Sequence, residues 1–199
     1  MPRHPRIVCV DHPHHVTQRG NNKRVIFFEN QDYFVYLKYY QKHCAQYFLT
    51  TLAFCLMPNH VHFIVIPKKS DSISLTFKLT HTKYAKYLNS KHYWSGHLWQ
   101  GRFFSCVLSK YHLISAIRYV ERNPLRANLT DRPTDWPWSS APTHVGEKAL
   151  INLEEISNYV GISSENWLDF LKTTDEKIEE KIKIHTRSGN PLLVSDTGV

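Results

Sequence analysis

His60 and His62 stand two residues apart near the start of an apolar run, Met57-Pro58-Asn59-His60-Val61-His62-Phe63-Ile64-Val65-Ile66-Pro67. A strand sends residues i and i+2 to the same face. The two Cα atoms are then roughly 6.6 Å apart, at about 3.3 Å per residue. Two imidazoles so placed can converge on one metal ion. Val61, Phe63 and Val65 take the opposite face, while Ile64 and Ile66 continue the histidine face as hydrocarbon. The pattern is a polar patch at the end of a core strand. It does not choose between zinc, manganese and magnesium, and a chain with 13 histidines, among them the cluster His12, His14 and His15, can place a pair at this spacing by chance.

A second pair of groups sits farther along. Ser109–Arg122 reads as a helix that must end near Asn123-Pro124, because proline disfavours the helical conformation in the residue before it. Leu113, Ile117 and Val120 form its apolar stripe. At about 100° per residue, Tyr119 lies roughly 120° from the centre of that stripe. A tyrosine off the core face is therefore expected, with Asn123 one turn later on the same side. Helix geometry alone also fits a surface tyrosine beside an asparagine helix stop.

The elements that must position these groups follow an α/β order. Arg6–Val10 and His15–Gln18 read as parts of a first strand, ending in the turn Arg19-Gly20-Asn21-Asn22. Asn30-Gln31-Asp32 offers capping chemistry for a helix over Tyr33–Tyr47. Phe48–Met57 and His60–Ile66 read as two strands that meet at Pro58. Ser70-Asp71-Ser72 caps the next helix, in which Ile73, Phe77, Tyr84 and Leu88 share one face while Lys78, Lys83 and Lys86 lie away from it. An aromatic and polar loop over Ser90–Gly101 leads to a strand at Phe103–Leu108. Asp135–Ser140 reads as structural, with tryptophans under a turn. Beyond residue 150, Asn152–Val160 and Glu165–Leu171 read as short helices, Asp175–Ile184 alternates charges around Ile178 and Ile182, and Thr186–Val199 reads as a mobile basic tail.

The chain has 199 residues and a net charge of +8 with histidine neutral, and a sequence pI of about 9.3. Such a surplus favours a polyanion partner, most often nucleic acid. Five Trp, eleven Tyr and ten Phe are interleaved with the cations, and aromatic faces beside cations suit single-stranded nucleic acid. No apolar run approaches a membrane span. The basic N-terminus has no apolar segment behind it, so a cytoplasmic protein is expected. The four cysteines form no Cys-x-x-Cys pair; Cys55 and Cys106 read as small core residues.

Taken together, these residues resemble the single-tyrosine HUH transposases, most closely the REP-associated tyrosine transposases. The resemblance runs through His15-Val16-Thr17-Gln18-Arg19-Gly20-Asn21, the histidine strand, and Tyr84-Ala85-Lys86-Tyr87-Leu88-Asn89. It continues through Gly96-His97-Leu98-Trp99-Gln100-Gly101-Arg102-Phe103, Arg118-Tyr119-Val120-Glu121-Arg122-Asn123-Pro124-Leu125-Arg126-Ala127, and Asp135-Trp136-Pro137-Trp138-Ser139-Ser140. It implies that Tyr119 is the nucleophile and that His60, His62 and Asn123 hold a divalent metal, Mg2+ or Mn2+. It also implies cleavage and rejoining of single-stranded, hairpin-forming repeat DNA through a 5′-phosphotyrosine link, by a chain that acts as a monomer more readily than as a dimer. The expected fold is α/β: an RRM-like or ferredoxin-like antiparallel sheet of four or five strands with packed helices. The expected division is a catalytic domain over residues 1–150 and a helical extension with a flexible basic tail over 151–199.

Candidate DNA contacts are Arg19, Asn21 and Asn22 on the early turn, Trp99, Gln100 and Arg102 in the aromatic loop, and Arg126 after the Asn-Pro stop. Arg102 suits a phosphate and Trp99 a base face; core packing of Trp99 is an even alternative. Neither a membrane nor a small-molecule substrate is expected. Two other functions remain open: a non-catalytic nucleic-acid-binding protein on an RRM-like sheet, and a metallonuclease that activates water, with Tyr119 incidental. A free phenol is only about 0.1% ionised at pH 7, and no residue announces itself as the base that would activate Tyr119.

Overall fold

The computed structural model describes residues 6–193. Its first six elements run β1 (His14–Arg19), α1 (Asn30–Gln46), β2 (Leu49–Met57), β3 (His60–Pro67), α2 (Ser72–His92) and β4 (Phe104–Val107). The strands form one antiparallel sheet in the order β2-β3-β1-β4. This β-α-β-β-α-β order with a 4-1-3-2 sheet is the ferredoxin-like arrangement. The expected sheet of four or five strands has four.

The tail of the chain adds helices. They are α3 (Lys110–Glu121), the single turn α4 (Asn123–Arg126), α5 (Ala141–His144), α6 (Ser157–Val160), α7 (Ser164–Lys172) and α8 (Glu176–Ser188). No helix among the described residues is long and apolar enough to cross a membrane.

Strand alternation builds two cores, one on each face of the sheet. Val16, Phe54, Leu56, Val61, Phe63 and Val65 face α1 and α2, where they meet Tyr36, Tyr40, Phe77, Tyr84 and Leu88. Ile64, Ile66, Cys55, Cys106 and Leu108 face the other way, onto Leu113, Ile117 and Val120 of α3, Trp167 and Leu171 of α7, and Ile182 of α8. The expected faces of the histidine strand and of α2 both hold. Lys78, Lys83 and Lys86 are exposed as expected.

The helix read over Asn152–Val160 shrinks to the single turn Ser157–Val160, and three other expectations about the elements fail for physical reasons. Arg6–Val10 is not a strand: Arg6 stacks its guanidinium 3.7 Å from the Phe103 ring, and Asp11, at φ 61°, breaks the line before Pro13. The helix at Tyr33 starts earlier, at Asn30, and its Asp32 carboxylate accepts from the N–H groups of Phe28 and Glu29. The segment from Thr186 is not a loose tail. Thr186 is buried within α8, and Leu192 pairs with Leu108 beside β4. Residues 194–199 lie outside the described residues.

A tight turn at Pro58-Asn59 joins β2 to β3, with Met57 opposite His60. Its carbonyls are not wasted. Pro58 O accepts from Ile26 N and Phe27 N, and Asn59 O accepts from Gly20 N. A Cβ on Gly20 would lie 2.4 Å from Arg24 O and 2.8 Å from Ile26 Cγ2, so only glycine lets the end of β1 lie this close to the Arg24–Ile26 segment, which itself docks on the turn that carries His60.

Candidate active site

His60 and His62 lie at the start of β3, a central strand. In the register with β1, His60 pairs with Arg19 and His62 with Thr17. Each imidazole has one nitrogen engaged by the protein. His60 Nδ1 donates to Asn59 Oδ1 at 2.6 Å, and the Asn59 amide nitrogen is held by Lys23 O at 3.1 Å. The carboxamide therefore presents its oxygen to the ring, which fixes the proton on Nδ1 and leaves Nε2 of His60 with a lone pair. His62 Nδ1 lies 2.9 Å from His15 Nε2, and the two rings are stacked at 5.1 Å and 6°. Burial lowers the basicity of His60 to about 4 and of His15 to about 3. His62 falls well below its usual value through burial, helped by the positive charge of its neighbours. All three are neutral at physiological pH, which is the state a metal ligand needs.

Tyr119 comes from α3 and sits edge-on to His62, with centroids 5.7 Å apart, and to His15 at 5.8 Å. The expectation that it lies off the core is overturned: only 5% of it is exposed. A helical wheel sees one helix, whereas α3 is packed on the sheet and also flanked by α8, so a second side of it is covered. Burial raises the phenol pKa, and the Arg126 guanidinium, 5.0 Å from the ring centroid, pulls it back down. Arg126 is held in turn by Glu179 of α8 at 3.2 Å.

The helix does stop before Asn123-Pro124, at Glu121, but the chain resumes at once as α4. Asn123 donates from Nδ2 to Tyr119 O at 2.8 Å. That hydrogen bond engages the nitrogen and leaves the carboxamide oxygen available to a cation. The extra turn of α4 carries Arg126 back over the tyrosine.

His15, His60, His62, Tyr119 and Asn123 line one cavity of about 580 Å³, with Arg19, Gln100 and Arg126 at its walls. The sequence reading missed part of that wall. Lys183, Thr186 and Arg187 of α8 line it too. Their spacing from Glu179 is i+4, i+7 and i+8, one face of a helix, a signal visible in the sequence once a helix is placed there. His15 was likewise legible as the β1 residue that alternates with Thr17 and Arg19.

The other expected DNA contacts separate. Asn21, Trp99, Gln100 and Arg102 line a second cavity of about 900 Å³ against α2, with Lys78 and Lys86. Gln18 and Gln100 line both cavities. Asn22 is exposed and lines neither. The proposed base-stacking role of Trp99 does not fit its setting. The ring is 9% exposed, lies 4.3 Å from His81, and donates its indole N–H to His81 O at 3.0 Å. It is a core residue whose rim reaches the cavity.

Among the described residues no cluster of three or more His, Cys, Asp or Glu side chains could hold a metal ion. The donor set still fits one: two neutral imidazoles with one nitrogen each to spare, and an amide oxygen. Such a set leaves positions open for water and phosphate oxygens, as a catalytic site requires.

The family model described as "Transposase IS200 like" matches residues 10–123, from before β1 to Asn123. The chain belongs to the IS200-like transposase family. Within that family it is similar to a Haemophilus influenzae protein named as a REP-associated tyrosine transposase, with 25% identity over 112 residues. That match covers 51% of this chain and 64% of the relative, so the chain matches less than two thirds of the relative's length. Among solved structures, a REP-associated tyrosine transposase bound to a REP hairpin aligns with a TM-score of 0.61 at 18% identity, over 78% of this chain and 93% of that one. The likeness establishes that this IS200-like transposase shares that fold.

Proposed function

We propose that this IS200-like transposase cleaves and rejoins single-stranded DNA at hairpin-forming repeats of the REP type, with Mg2+ or Mn2+ and a covalent tyrosine intermediate. The observation that carries the reading is the convergence of Tyr119, His60, His62, Asn123 and Arg126 on one cavity. The family and the hairpin-bound neighbour support the substrate class.

Tyr119 Oη attacks the phosphorus of the scissile phosphodiester and loses its proton. The bond from phosphorus to the 3′-oxygen breaks, and that oxygen leaves as a 3′-hydroxyl. The 5′ end stays on Tyr119 as a phosphotyrosine, which keeps the bond energy for rejoining without ATP. A divalent ion held by His60, His62 and Asn123 would neutralise charge on the phosphate oxygens as the transition state forms. Arg126 counters the effect of burial on the phenol and adds positive charge beside the reacting phosphate. Imidazole ligands favour manganese over magnesium. The chemistry belongs to the catalytic domain proposed over residues 1–150, and Lys183, Thr186 and Arg187 of α8, in the proposed extension, close part of the cavity wall. Since nucleophile and histidines meet within one chain, a monomer suffices.

The test is a labelled single-stranded hairpin incubated with Mn2+ or Mg2+. A covalent protein–DNA adduct that disappears in Tyr119→Phe is the expected result. Cleavage that survives Tyr119→Phe without an adduct would make the protein a water-using nuclease. Binding with no cleavage would leave a binding protein.

A further inference from the structure

His62 differs from His60 in what holds it. The partner of His60 is its own neighbour in sequence. The partner of His62 is His15 of β1, whose far nitrogen, Nδ1, lies 2.7 Å from Thr186 Oγ1 in α8. Thr186 is buried, and its hydroxyl lies 3.3 Å from the Cys106 sulfur. Three buried side chains, 47 and then 171 residues apart along the chain, thus form one line of hydrogen bonds that ends at the cavity.

The line can run in two directions. In one, His62 Nδ1–H donates to His15 Nε2 and His15 Nδ1–H donates to Thr186, so His62 turns a lone pair to the cavity. In the other, Thr186 donates to His15 and His15 to His62, so His62 turns an N–H to the cavity and cannot bind a metal. Two observations favour the first. His62 shares the cavity with Arg19 and Arg126, whose positive charge acts on its ring and favours the negative end of the imidazole dipole, its lone pair, on that side. The Cys106 sulfur, 3.3 Å from the Thr186 hydroxyl, is placed to accept its proton, and in that arrangement the hydroxyl oxygen is free to accept from His15.

We propose that His15 and Thr186 are positioning residues that fix His62 as the Nδ1–H tautomer with Nε2 bare toward the cavity, which makes helix α8 part of the outer shell of the metal centre. This rests on the metal reading above. Outer-shell partners of this kind are worth roughly 10- to 100-fold in metal affinity.

Long-range 1H–15N NMR of the histidine rings in the full, metal-free chain reads the tautomer directly. The His62 signals are assigned by their loss in His62→Asn. Wild type is expected to show the Nδ1–H form. Thr186→Val, nearly isosteric, is expected to mix the tautomers and weaken Mn2+ binding, measured by calorimetry, by about 10-fold or more. Thr186→Ser is expected to restore both. An Nε2–H tautomer of His62 in wild type overturns the proposal, as does a Thr186→Val chain with unchanged tautomer and Mn2+ affinity. Because the tautomer is read without metal, a wild type that binds no Mn2+ yet shows the Nδ1–H form sinks the metal reading and leaves the positioning role standing.

Discussion

The two faces of the sheet bury polar groups in different ways. On the α1–α2 face buried polar groups close in pairs: Tyr40 on Thr51, His43 on Thr80, Tyr36 on His81. These pairs sit among stacked rings such as Tyr40 and Phe63, 4.2 Å apart. The α3–α8 face holds a closed cluster around Glu121 as well, but there one set of hydrogen bonds runs in a line, from Thr186 through His15 to His62, and stops at a cavity flanked by cations. Buried histidines with depressed basicity occur on both faces, His81 and His15 both at about 3. Burial therefore does not mark the reactive face. A donor set left incomplete by its own protein does.

The contrast is sharpest where chemistry can be removed without removing structure. Tyr119→Phe on the reactive face is expected to abolish the DNA adduct, by more than about 1,000-fold, while thermal melting moves by no more than the loss of one hydrogen bond, about 1 kcal/mol. A large loss of stability in that variant would mean that the phenol is a structural group after all.

Glu121 tests what holds the reactive face. Its carboxylate is fully buried and takes hydrogen bonds from Ser140, from His144 at 2.6 Å and from the Trp167 indole at 2.8 Å. Burial alone would lower the basicity of His144, but the Glu121 charge raises it. Glu121→Ala strands these partners and is expected to cost about 3–5 kcal/mol in denaturant unfolding. Phe63→Ala on the opposite face is expected to cost a similar 3–5 kcal/mol through a cavity. Any activity change in its folded fraction should be slight. If Phe63→Ala instead loses adduct formation at full folding, the two faces are not separable.

Acid should weaken both faces. His14, His60, His15 and His81 have folded pKa values lowered by burial to about 4, 4, 3 and 3. The unfolded chain takes up their protons first, so stability is full above about 6.5 and falls as pH drops from there toward 4. By pH 5 the loss should reach about 4–8 kcal/mol in total, about 1–2 from each of the four groups. His144, shifted the other way, offsets part of it. Melting curves of the metal-free chain that stay flat from pH 7 to 5 would contradict the burial of these rings. The smallest effect is expected at Arg102, on the rim of the second cavity. Arg102→Ala should weaken hairpin binding by about 1 kcal/mol or less and lower its salt dependence by about one ion.

Much of this arrangement was legible in the sequence because it is local. The alternation of Val61, Phe63 and Val65 against Ile64 and Ile66 fixed which face carries His62, and the spacing of Ile73, Phe77, Tyr84 and Leu88 fixed the buried side of α2. What failed depended on a second element. Tyr119 lies far from its helix's own stripe, yet α8 and the His15–His62 pair cover it. Trp99 lies in a polar loop, yet that loop folds back on His81. Arg6–Val10 carries strand residues, but its partner is the ring of Phe103 rather than a ladder. Lys183, Thr186 and Arg187 come from a segment whose charge pattern suggests solvent until α8 docks on β4.

The hydrogen bond between His15 and Thr186 also sets a timetable. During synthesis β1 emerges early, and His15 waits for a partner 171 positions later. The α8 side of the cavity wall, the clamp of Glu179 on Arg126 and the bridge from Leu108 to Leu192 come from residues far beyond Tyr119. A chain that stops before α8 carries both histidines of β3 and the tyrosine, but lacks Thr186, the partner of His15, and Glu179, the partner of Arg126. The cavity proposed to nick DNA is in this way complete only once α8 has followed.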